Sequence, residues 1–272
     1  MNTTLSCPAK VNLFLAIGPR GEGEESAFHQ LETVLARTDQ LQDFIHIESG
    51  EEGTGINFQV NFGENMQNVE LEDNSVLKAI ALLEREAGRK FSYKITLEKN
   101  IPPQAGLGGG ASDAATILLY LNEAEGLHLP HERLMELAVK IGMDVPFFVS
   151  GCQVALGSHY GEQITPLPDL PREFQIKIHL TSKKTSTKKA YADWDALQFM
   201  QTDQAASAEA IIQAIKTSDA QGIIANLHND FDELNAPLIS SWTSSVPQPS
   251  SAILLAGSGG ALVSFYAADT SQ

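Results

Sequence analysis

Four glycines lie within the five positions from Gly106 to Gly110, and this cluster restricts the possible folds more than any other feature. Glycine loses more chain entropy on ordering than any other residue, so such a cluster is unfavourable inside a regular helix or strand. A strongly helix-forming run, residues 114–119, follows directly. A glycine loop that opens into a helix start lets backbone N–H groups approach an anion, and the helix dipole adds positive potential. The cluster therefore predicts a phosphate-binding loop, a flexible connection or a tight backbone crossing.

This loop differs from two common phosphate-binding patterns. It has neither the Gly-Lys-Ser/Thr ending of a P-loop nor the Gly-x-Gly-x-x-Gly spacing of a dinucleotide site. Ser112 is placed either to cap the following helix or to reach a phosphate or a metal ion. Asp113, in the first helical turn, suits the helix dipole but repels phosphate, so we expect it to point away from a bound anion.

Two other segments bear on the same chemistry. Lys10 and Asn12 share one face of a predicted strand over residues 5–17, and Asp144 lies in an apolar segment, residues 142–148. Taken alone, Lys10 is an edge-strand lysine and Asp144 the N-cap of a short helix. Phosphoryl transfer to an alcohol, however, requires a carboxylate that accepts the hydroxyl proton and a cation that stabilises the moving charge. Asp144 and Lys10 meet that requirement if the fold brings them together.

Composition limits the classes of function. The chain has 272 residues, 43% of them hydrophobic, and a formal net charge of −16, which argues against general nucleic-acid binding and against an anionic membrane surface. Residues 1–7 lack the basic and apolar regions of a signal peptide, and no apolar run is long enough to span a bilayer. The two cysteines, Cys7 and Cys152, are too few for a disulfide framework and are expected to be buried thiols of a cytoplasmic protein.

Hydrophobic periodicity and glycine or proline punctuation predict a mixture of helices and strands. Strands are predicted at residues 5–17, 43–48, 56–62, 92–98, 174–180, 251–256 and 261–266. Helices are predicted at residues 74–87, 112–125, 131–141, 188–199, 206–216 and 219–227. Residues 158–173, which contain one glycine and three prolines, indicate the neighbourhood of a domain boundary, so we divide the chain into residues 1–158 and 159–272.

Together these segments resemble the galactokinase, homoserine kinase, mevalonate kinase and phosphomevalonate kinase (GHMP) superfamily. Within it, they are most similar to the kinases of the non-mevalonate isoprenoid pathway that act on a cytidine-diphosphate-linked methylerythritol. Four motifs occur in the expected order, residues 8–15, 28–34, 103–116 and 142–148, and a weaker fifth lies at residues 255–261. The resemblance covers nearly the whole chain.

The resemblance implies an α+β fold with an N-terminal ATP-binding domain, a C-terminal ferredoxin-like domain and an active site in the cleft between them. It implies Asp144 as the catalytic base and Lys10 as its cationic partner. The implied ATP-binding residues are Lys99, Pro103, Gly106, Leu107, Gly108, Gly109, Gly110, Ala111 and Ser112. The implied substrate-binding residues are Asn12, Phe28, His29, Asp144, Tyr191, Gly257, Ser258 and Gly259. Phe28, His29 and Tyr191 would hold the cytosine, and no metal-binding side chain is implied.

The resemblance also implies ATP as phosphate donor, together with Mg²⁺, and a small-molecule substrate without nucleic-acid or membrane partners. A monomer or weak dimer is expected. One departure concerns residues 26–29, Ser-Ala-Phe-His, where the family usually carries Asp-Gly-Tyr-His. Four lysines, Lys183, Lys184, Lys188 and Lys189, form either a solvated loop or a positive rim for a diphosphate substrate.

Two alternatives remain open at this point. The first is another GHMP-type kinase that acts on mevalonate, homoserine or a sugar, and residues Phe28 and His29 argue against it. The second is a nucleotide-binding regulator without catalytic activity. Lys10, Asp144 and the glycine loop argue against the second, because a protein that only binds nucleotide has no chemical need for all three.

Overall fold

The computed structural model describes residues 2–23, 28–63, 66, 74–181, 186–197, 206–243 and 252–268, and no side chain is described at 242–243. Ser26, Ala27, Lys183 and Lys184 therefore lie outside the described residues. Among the helices described, none combines the length and apolar content needed to cross a bilayer. Helices alternate with parallel and antiparallel strands, which confirms the predicted α+β class.

The chain forms two compact units, and two long strands contribute residues to both. These strands are β1 (Asn2–Arg20) and β2 (His29–Ser49). Unit 1 comprises Met1–Ala9, Asp39–Pro103 and Gly108–Gly151, and unit 2 comprises Lys10–Thr38, Gln104–Leu107 and Cys152–Gln272. Because these units do not follow a single cut in the chain, the division at residue 158 stays a prediction.

Unit 1 contains a sheet covered by helices. The second half of β2 pairs antiparallel with β4 (Tyr93–Lys99), and β4 pairs parallel with β3 (Ile56–Phe62). The helices are α1 (Ser75–Ala87), α2 (Gly109–Ala124), α3 (His131–Ile141) and the short α4 (Val145–Val149).

Helix α1 shows how local sequence sets the boundaries of an element in unit 1. The Asn74 side chain accepts a hydrogen bond of 2.8 Å from the Val76 N–H, and Gly88 closes the helix in the left-handed conformation at φ 64°. These are the usual cap residues for the two ends of a helix. The buried residues Ala79, Ile80 and Leu83 recur at helical spacing, so one stripe of α1 faces the core.

Unit 2 contains two groups of strands. In the first, Thr33–Ala36 of β2 pair antiparallel with β5 (Val154–Ser158), which pairs with β6 (Gln163–Leu167). The second is a three-stranded antiparallel sheet in the order β7 (Phe174–Leu180), β10 (Ala261–Ala267), β9 (Ala252–Leu255). Residues 163–167, within the stretch interpreted as the neighbourhood of a domain boundary, form β6.

The remaining described elements of unit 2 are α5 (Thr187–Leu197), α6 (Glu209–Lys216), α7 (Ala220–Ala225), β8 (His228–Asn229), a 3₁₀ helix (Asp230–Asn235) and α8 (Ala236–Thr243). Of these, α5, the 3₁₀ helix and α8 contribute residues to one hydrophobic cluster. Phe231, which is fully buried, packs at the centre with Trp194 of α5 and Leu255 of β9. Strand β8 pairs parallel with β1 through Phe14 and Leu15. The cluster thus anchors the end of β1 against the 3₁₀ helix.

Asp232 connects the 3₁₀ helix to β9, because its carboxylate accepts a 2.9 Å hydrogen bond from the Leu255 N–H. Burial raises the pKa of Asp232 to about 7, an effect that the Leu255 hydrogen bond and His228 oppose and Asp230 reinforces. The Asp232 carboxyl group of the folded protein therefore keeps its proton at pH values where the same group in the unfolded chain is already ionised. The contribution of Asp232 to stability is fully present below its ordinary pKa and is lost as the pH rises towards 7.

We expect Asp232→Asn to be more stable than the wild type above pH 7, because asparagine stays neutral and still offers an oxygen to the Leu255 N–H. The difference in unfolding free energy should grow by up to about 1.4 kcal/mol for each pH unit between about 4 and 7. Urea unfolding from pH 5 to pH 8 measures the difference in unfolding free energy between the variant and the wild type. Asp169→Asn, a substitution at an exposed position, is the control. A difference that does not change with pH would contradict the titration of Asp232.

Candidate active site

Lys10 is held in unit 2 by a chain of hydrogen bonds. Its ammonium group, on a residue only 4% exposed, donates to the Asn12 Oδ1 at 2.8 Å. The Asn12 Nδ2 donates to the Thr33 Oγ1 at 2.8 Å, and this hydroxyl donates to the Phe14 carbonyl at 2.7 Å. A buried ammonium group is costly unless polar groups surround it, so the chain fixes both the place and the direction of the Lys10 side chain. Lys10 and Asn12 share one face of β1, as predicted.

Thr33 was not among the predicted site residues, although it lies within one of the motifs. The sequence signal was weak, because Thr33 is 21 positions from Asn12 and threonine is common in strands. Strands β1 and β2 are hydrogen-bonded neighbours, and this pairing places the Thr33 hydroxyl against the Asn12 amide. We therefore add Thr33 to the candidate site as the residue that orients Asn12.

The turn between β9 and β10 lies directly against Lys10. A Cβ atom on Gly257 would stand 3.4 Å from the Lys10 Nζ and 3.5 Å from the Asn12 Oδ1. A Cβ atom on Gly106 would stand only 1.8 Å from the Ala256 carbonyl oxygen, and Gly106 adopts φ 79°. Side chains larger than hydrogen are therefore excluded where residue 106 meets the turn. The backbone also links these parts, because the Lys10 N–H donates to the Leu107 carbonyl at 2.9 Å.

The predicted phosphate loop belongs partly to each unit, since Gln104–Leu107 lie in unit 2 and Gly108–Ser112 in unit 1. In unit 1, α2 begins at Gly109, earlier than the predicted start at Ser112, after Gly108 in the left-handed conformation at φ 70°. No side chain caps this helix start within the described chain. Ser112 is fully buried, and its hydroxyl lacks a hydrogen-bond partner among the described residues. The helix start thus has no side-chain cap, and close behind it lies one buried hydroxyl without a partner among the described residues.

Lys99, predicted to bind ATP, lies in a buried ionic cluster of unit 1. Its ammonium group donates to the Asp113 carboxylate at 2.7 Å and also contacts Asp43. Burial by itself lowers the pKa of Lys99, but the carboxylates of Asp113 and Asp43 outweigh burial and raise it. Burial raises the pKa of Asp113, while Lys99 opposes this effect and Asp43 reinforces it.

This ionic cluster fixes the start of α2. The Asp43 carboxylate accepts hydrogen bonds from the backbone N–H groups of Asn100 and Ile101, at 2.5 and 2.7 Å. Asp113 lies in the first turns of α2 and is directed towards Lys99, in agreement with the expectation that it points away from a bound anion. The ATP-binding role of Lys99 stays a prediction, because in this conformation both carboxylates contact its ammonium group.

Asp144 lies in unit 1 immediately before α4, with Pro146 in the first turn of that helix. The short helix that the sequence allowed does form, but the Asp144 side chain makes no capping hydrogen bond to it. Asp144 is only partly buried. Capping therefore does not explain this residue, and its catalytic role stays a prediction. Because Asp144 and Lys10 belong to different units, their cooperation stays a prediction.

The predicted cytosine-binding residues lie in unit 2. His29 is buried, and the Tyr191 ring stacks on its imidazole at 5.3 Å between centroids with an interplanar angle of 18°. Phe28 is 43% exposed, and its ring lies 5.6 Å from the Tyr160 ring. The structure therefore brings His29 and Tyr191 together and leaves the adjacent Phe28 partly exposed.

Asp195 also contacts this aromatic group and was not predicted from the sequence. It lies one turn after Tyr191 on α5, and its carboxylate oxygen is 3.0 Å from the His29 Nε2. The His29 Nδ1 lies 3.1 Å from the Gly18 carbonyl oxygen, and Arg20 forms an ion pair with Asp195. The Gly18 carbonyl thus holds the Nδ1 side of the His29 ring, whereas the Nε2 lies close to the Asp195 carboxylate without a hydrogen bond to the described residues. Nearby, Lys189 of the predicted lysine group forms an ion pair with Asp193 on the same helix.

Comparisons with known proteins agree with the sequence motifs. Residues 74–152 match the family model described as the GHMP kinases N terminal domain. A 4-diphosphocytidyl-2-C-methyl-D-erythritol kinase from Synechococcus elongatus is 33% identical over 246 residues, which cover 86% of this chain and 75% of that protein. Enzymes of the same name from Sulfurihydrogenibium sp. and Ralstonia pickettii are 37% and 40% identical. These two alignments cover 70% and 63% of this chain but only 65% and 56% of the relatives, so the chain spans less than two thirds of their lengths.

Solved structures show the same relationship at the level of the fold. A crystal structure of 4-(cytidine 5′-diphospho)-2C-methyl-D-erythritol kinase matches with a TM-score of 0.72 and 28% identity, covering 96% of this chain and 89% of that chain. The structure of L. major mevalonate kinase matches with a TM-score of 0.66 and 18% identity, covering 98% and 89%. The match to the mevalonate kinase, at 18% identity, shows only that the two proteins share a fold. The predicted fold family is therefore confirmed.

Proposed function

Because this chain belongs to the 4-diphosphocytidyl-2-C-methyl-D-erythritol kinase family of the GHMP kinases, we propose that it phosphorylates the 2-hydroxyl of 4-diphosphocytidyl-2-C-methyl-D-erythritol with ATP. This reaction would serve non-mevalonate isoprenoid precursor biosynthesis in the cytoplasm. A reducing compartment suits Cys7 and Cys152, which form no disulfide in the described part of the chain; Cys7 is buried and Cys152 is partly exposed.

The observation that carries the proposal is the way the buried Lys10 ammonium is held. Three consecutive hydrogen bonds run from Lys10 through Asn12 and Thr33 to the β1 backbone, and the Gly257 turn lies against the same ammonium group. A lysine that served only solubility would have its charged end in water. A fixed cation beside a glycine turn suits a reaction in which negative charge moves on phosphoryl oxygens.

In the proposed reaction, the Asp144 carboxylate accepts the proton of the substrate hydroxyl as the oxygen attacks the γ-phosphorus. The new O–P bond forms while the bond to the β-phosphate oxygen breaks, and ADP leaves. Lys10 stabilises the charge that develops on the transferred group. Asn12 and Thr33 keep the Lys10 ammonium in one position, so no reorientation is needed during the reaction.

The start of α2 supports the proposed binding of ATP phosphates. Phosphate binds well at a helix start where backbone N–H groups are available, and glycine permits close approach. Mg²⁺ in kinases neutralises phosphate charge and is held by the phosphates, water and one or two protein oxygens. The buried Ser112 hydroxyl, which lacks a partner among the described residues, is the candidate protein oxygen. Among those residues, no group of three or more His, Cys, Asp or Glu side chains could hold a metal ion without the nucleotide.

The deciding experiment measures ADP release in the presence and absence of the cytidine-diphosphate substrate. Release that depends on this substrate, and not on mevalonate, homoserine or a sugar, supports the proposal. Release that depends on one of those other alcohols would assign the protein to another GHMP-type activity. ATP binding in titration calorimetry without any turnover would instead favour a regulator.

We expect Phe28→Ala and Tyr191→Ala each to raise KM for the cytidine substrate by roughly 5–100-fold, because stacking of a base on an aromatic ring contributes about 1–3 kcal/mol. KM for ATP should stay within about a factor of two if adenine occupies a different pocket. Steady-state kinetics with each substrate varied in turn provides the measurement.

A matched control for these two variants is Tyr266→Ala, since Tyr266 is a partly buried tyrosine of unit 2 on β10, paired with Gln175. Tyr191 also packs against the Phe231 ring, so circular dichroism must confirm that the variants are folded. A folded Phe28→Ala/Tyr191→Ala double variant with unaltered KM for the cytidine substrate would exclude these rings from substrate binding.

A further inference from the structure

Asn229 occupies a position that connects the strand bearing Lys10 with the glycine turn. It is 3% exposed and lies on β8, where it pairs with Leu15 of β1. Its side-chain Nδ2 donates to the carbonyl oxygens of Leu255 and Gly257, both at 2.9 Å. Its Oδ1 accepts the Phe231 N–H at 3.0 Å. One side chain thus bonds to β9, to the turn and to the 3₁₀ helix.

The chemistry of these partners fixes the orientation of the amide. An asparagine side chain has two N–H donors on nitrogen and one acceptor oxygen. Its partners here are two backbone carbonyls, which only accept, and one backbone N–H, which only donates. The reverse orientation would place oxygen against two carbonyls and an amino group against an N–H. Asparagine is therefore the side chain whose donors and acceptor match this site.

The turn that Asn229 bonds lies beside the candidate catalytic lysine. The Gly257 Cα lies where an added Cβ would be 3.4 Å from the Lys10 Nζ, and the carbonyl of the same glycine accepts from Asn229. The neighbouring Ala256 carbonyl lies against Gly106. A shift of the turn would therefore alter the surroundings of the Lys10 ammonium directly.

We propose that Asn229 is a positioning residue for phosphoryl transfer, holding the turn Ala256–Gly260 in register with Lys10 and Asn12. The reaction named here rests on the proposed function, whereas the link between Asn229 and the turn does not. Asn229 acts through the Leu255 and Gly257 carbonyls and contacts neither substrate. Its loss should therefore lower kcat more than it raises KM for ATP.

The test compares Asn229→Asp with Asn235→Asp. Asn235 is a buried asparagine at the end of the same 3₁₀ helix, and it donates to the Phe231 carbonyl rather than to the turn. An aspartate at 229 keeps the shape and the acceptor for Phe231 but places a carboxylate oxygen against two carbonyls. We expect kcat to fall about 10–100-fold in Asn229→Asp, since two buried hydrogen bonds are lost and a repulsive contact replaces them. KM for ATP should change by less than about 3-fold.

Hydrogen exchange measured by mass spectrometry on peptides covering residues 252–267 supplies a readout that does not depend on turnover. Exchange at the turn should rise in Asn229→Asp and stay at the wild-type level in Asn235→Asp. Equal rises in both variants, or no rise in Asn229→Asp, would overturn the proposal. A loosened turn with unchanged kcat would overturn the positioning role as well.

One further variant and one further measurement distinguish failure of the positioning role from failure of the proposed function. Asn229→Ser retains one donor, so an intermediate rise in exchange and an intermediate fall in kcat are expected, and this variant decides the question if Asn229→Asp does not fold. If the wild type shows no turnover of the cytidine substrate, the proposed function fails. The exchange measurement then still decides whether Asn229 holds the turn.

Discussion

Replacing Asp144 by asparagine is expected to lower kcat by about 10²–10⁴-fold, the usual contribution of a general base. Asparagine keeps the size and the hydrogen-bonding oxygen of the side chain but cannot accept the hydroxyl proton. The Asp144 side chain does not cap α4, so the substitution removes no capping hydrogen bond from that helix. ATP binding, measured by calorimetry, should be little changed while kcat falls.

Asp219→Asn provides the matched control for charge removal at a helix start. Asp219 precedes α7, and its carboxylate accepts the Gly222 N–H at 2.9 Å, a bond that asparagine also makes. This variant should retain wild-type kcat. If Asp144→Asn kept more than about a third of the wild-type kcat, the loss would be too small for a general base, and Asp144 would have no role as one.

Elements of unit 1 with strong local signals were predictable from the sequence. Helix α3 is observed at the predicted residues 131–141, and α1 starts one residue after its predicted start because Asn74 is the cap rather than the first helical residue. Strand β4 is shifted by one residue from its prediction. In each case a stripe of apolar residues and a cap or turn residue act over a few positions, so the information is local.

Elements that depend on distant partners were less predictable. Strand β2 extends over 21 residues, although only residues 43–48 showed clear strand periodicity, and its first part pairs with β5, more than 100 positions later. Strand β6 contains Pro166, and a proline in a sequence usually argues against a strand. A proline is tolerated, however, in a strand at the edge of a sheet, as β6 is. Pairing partners, rather than propensity, determine both cases.

The candidate site shows the same division between local and distant information. Motifs identified Lys10, Asn12 and the glycines because these residues stand in short, recognisable segments. The contacts of Lys99 with Asp43, 56 positions away, and of Asn229 with Leu255 and Gly257 were not visible in any segment. Which polar side chains become neighbours depends on the tertiary structure, and a single sequence contains no local pattern that identifies such pairs.

Gly106→Ala is expected to lower kcat/KM for the cytidine substrate by on the order of 100-fold, because displacement of catalytic groups by about 1 Å can have that effect. The added methyl group would stand 1.8 Å from the Ala256 carbonyl oxygen, a distance that the two backbones cannot accommodate without moving apart. This separation would displace the turn that carries Gly257 relative to the Lys10 ammonium. Steady-state kinetics and hydrogen exchange at residues 252–267 would measure both consequences.

Gly126→Ala separates this steric effect from backbone strain. Gly126 also has a positive φ, 65° against 79° for Gly106, but a Cβ atom there would meet nothing within 4 Å. Each substitution places alanine in the left-handed region, at a cost of about 1–3 kcal/mol in stability. Both variants should therefore melt at lower temperature, and only Gly106→Ala should lose activity. Equal activity in the two folded variants would mean that the contact between Gly106 and the turn has no part in catalysis.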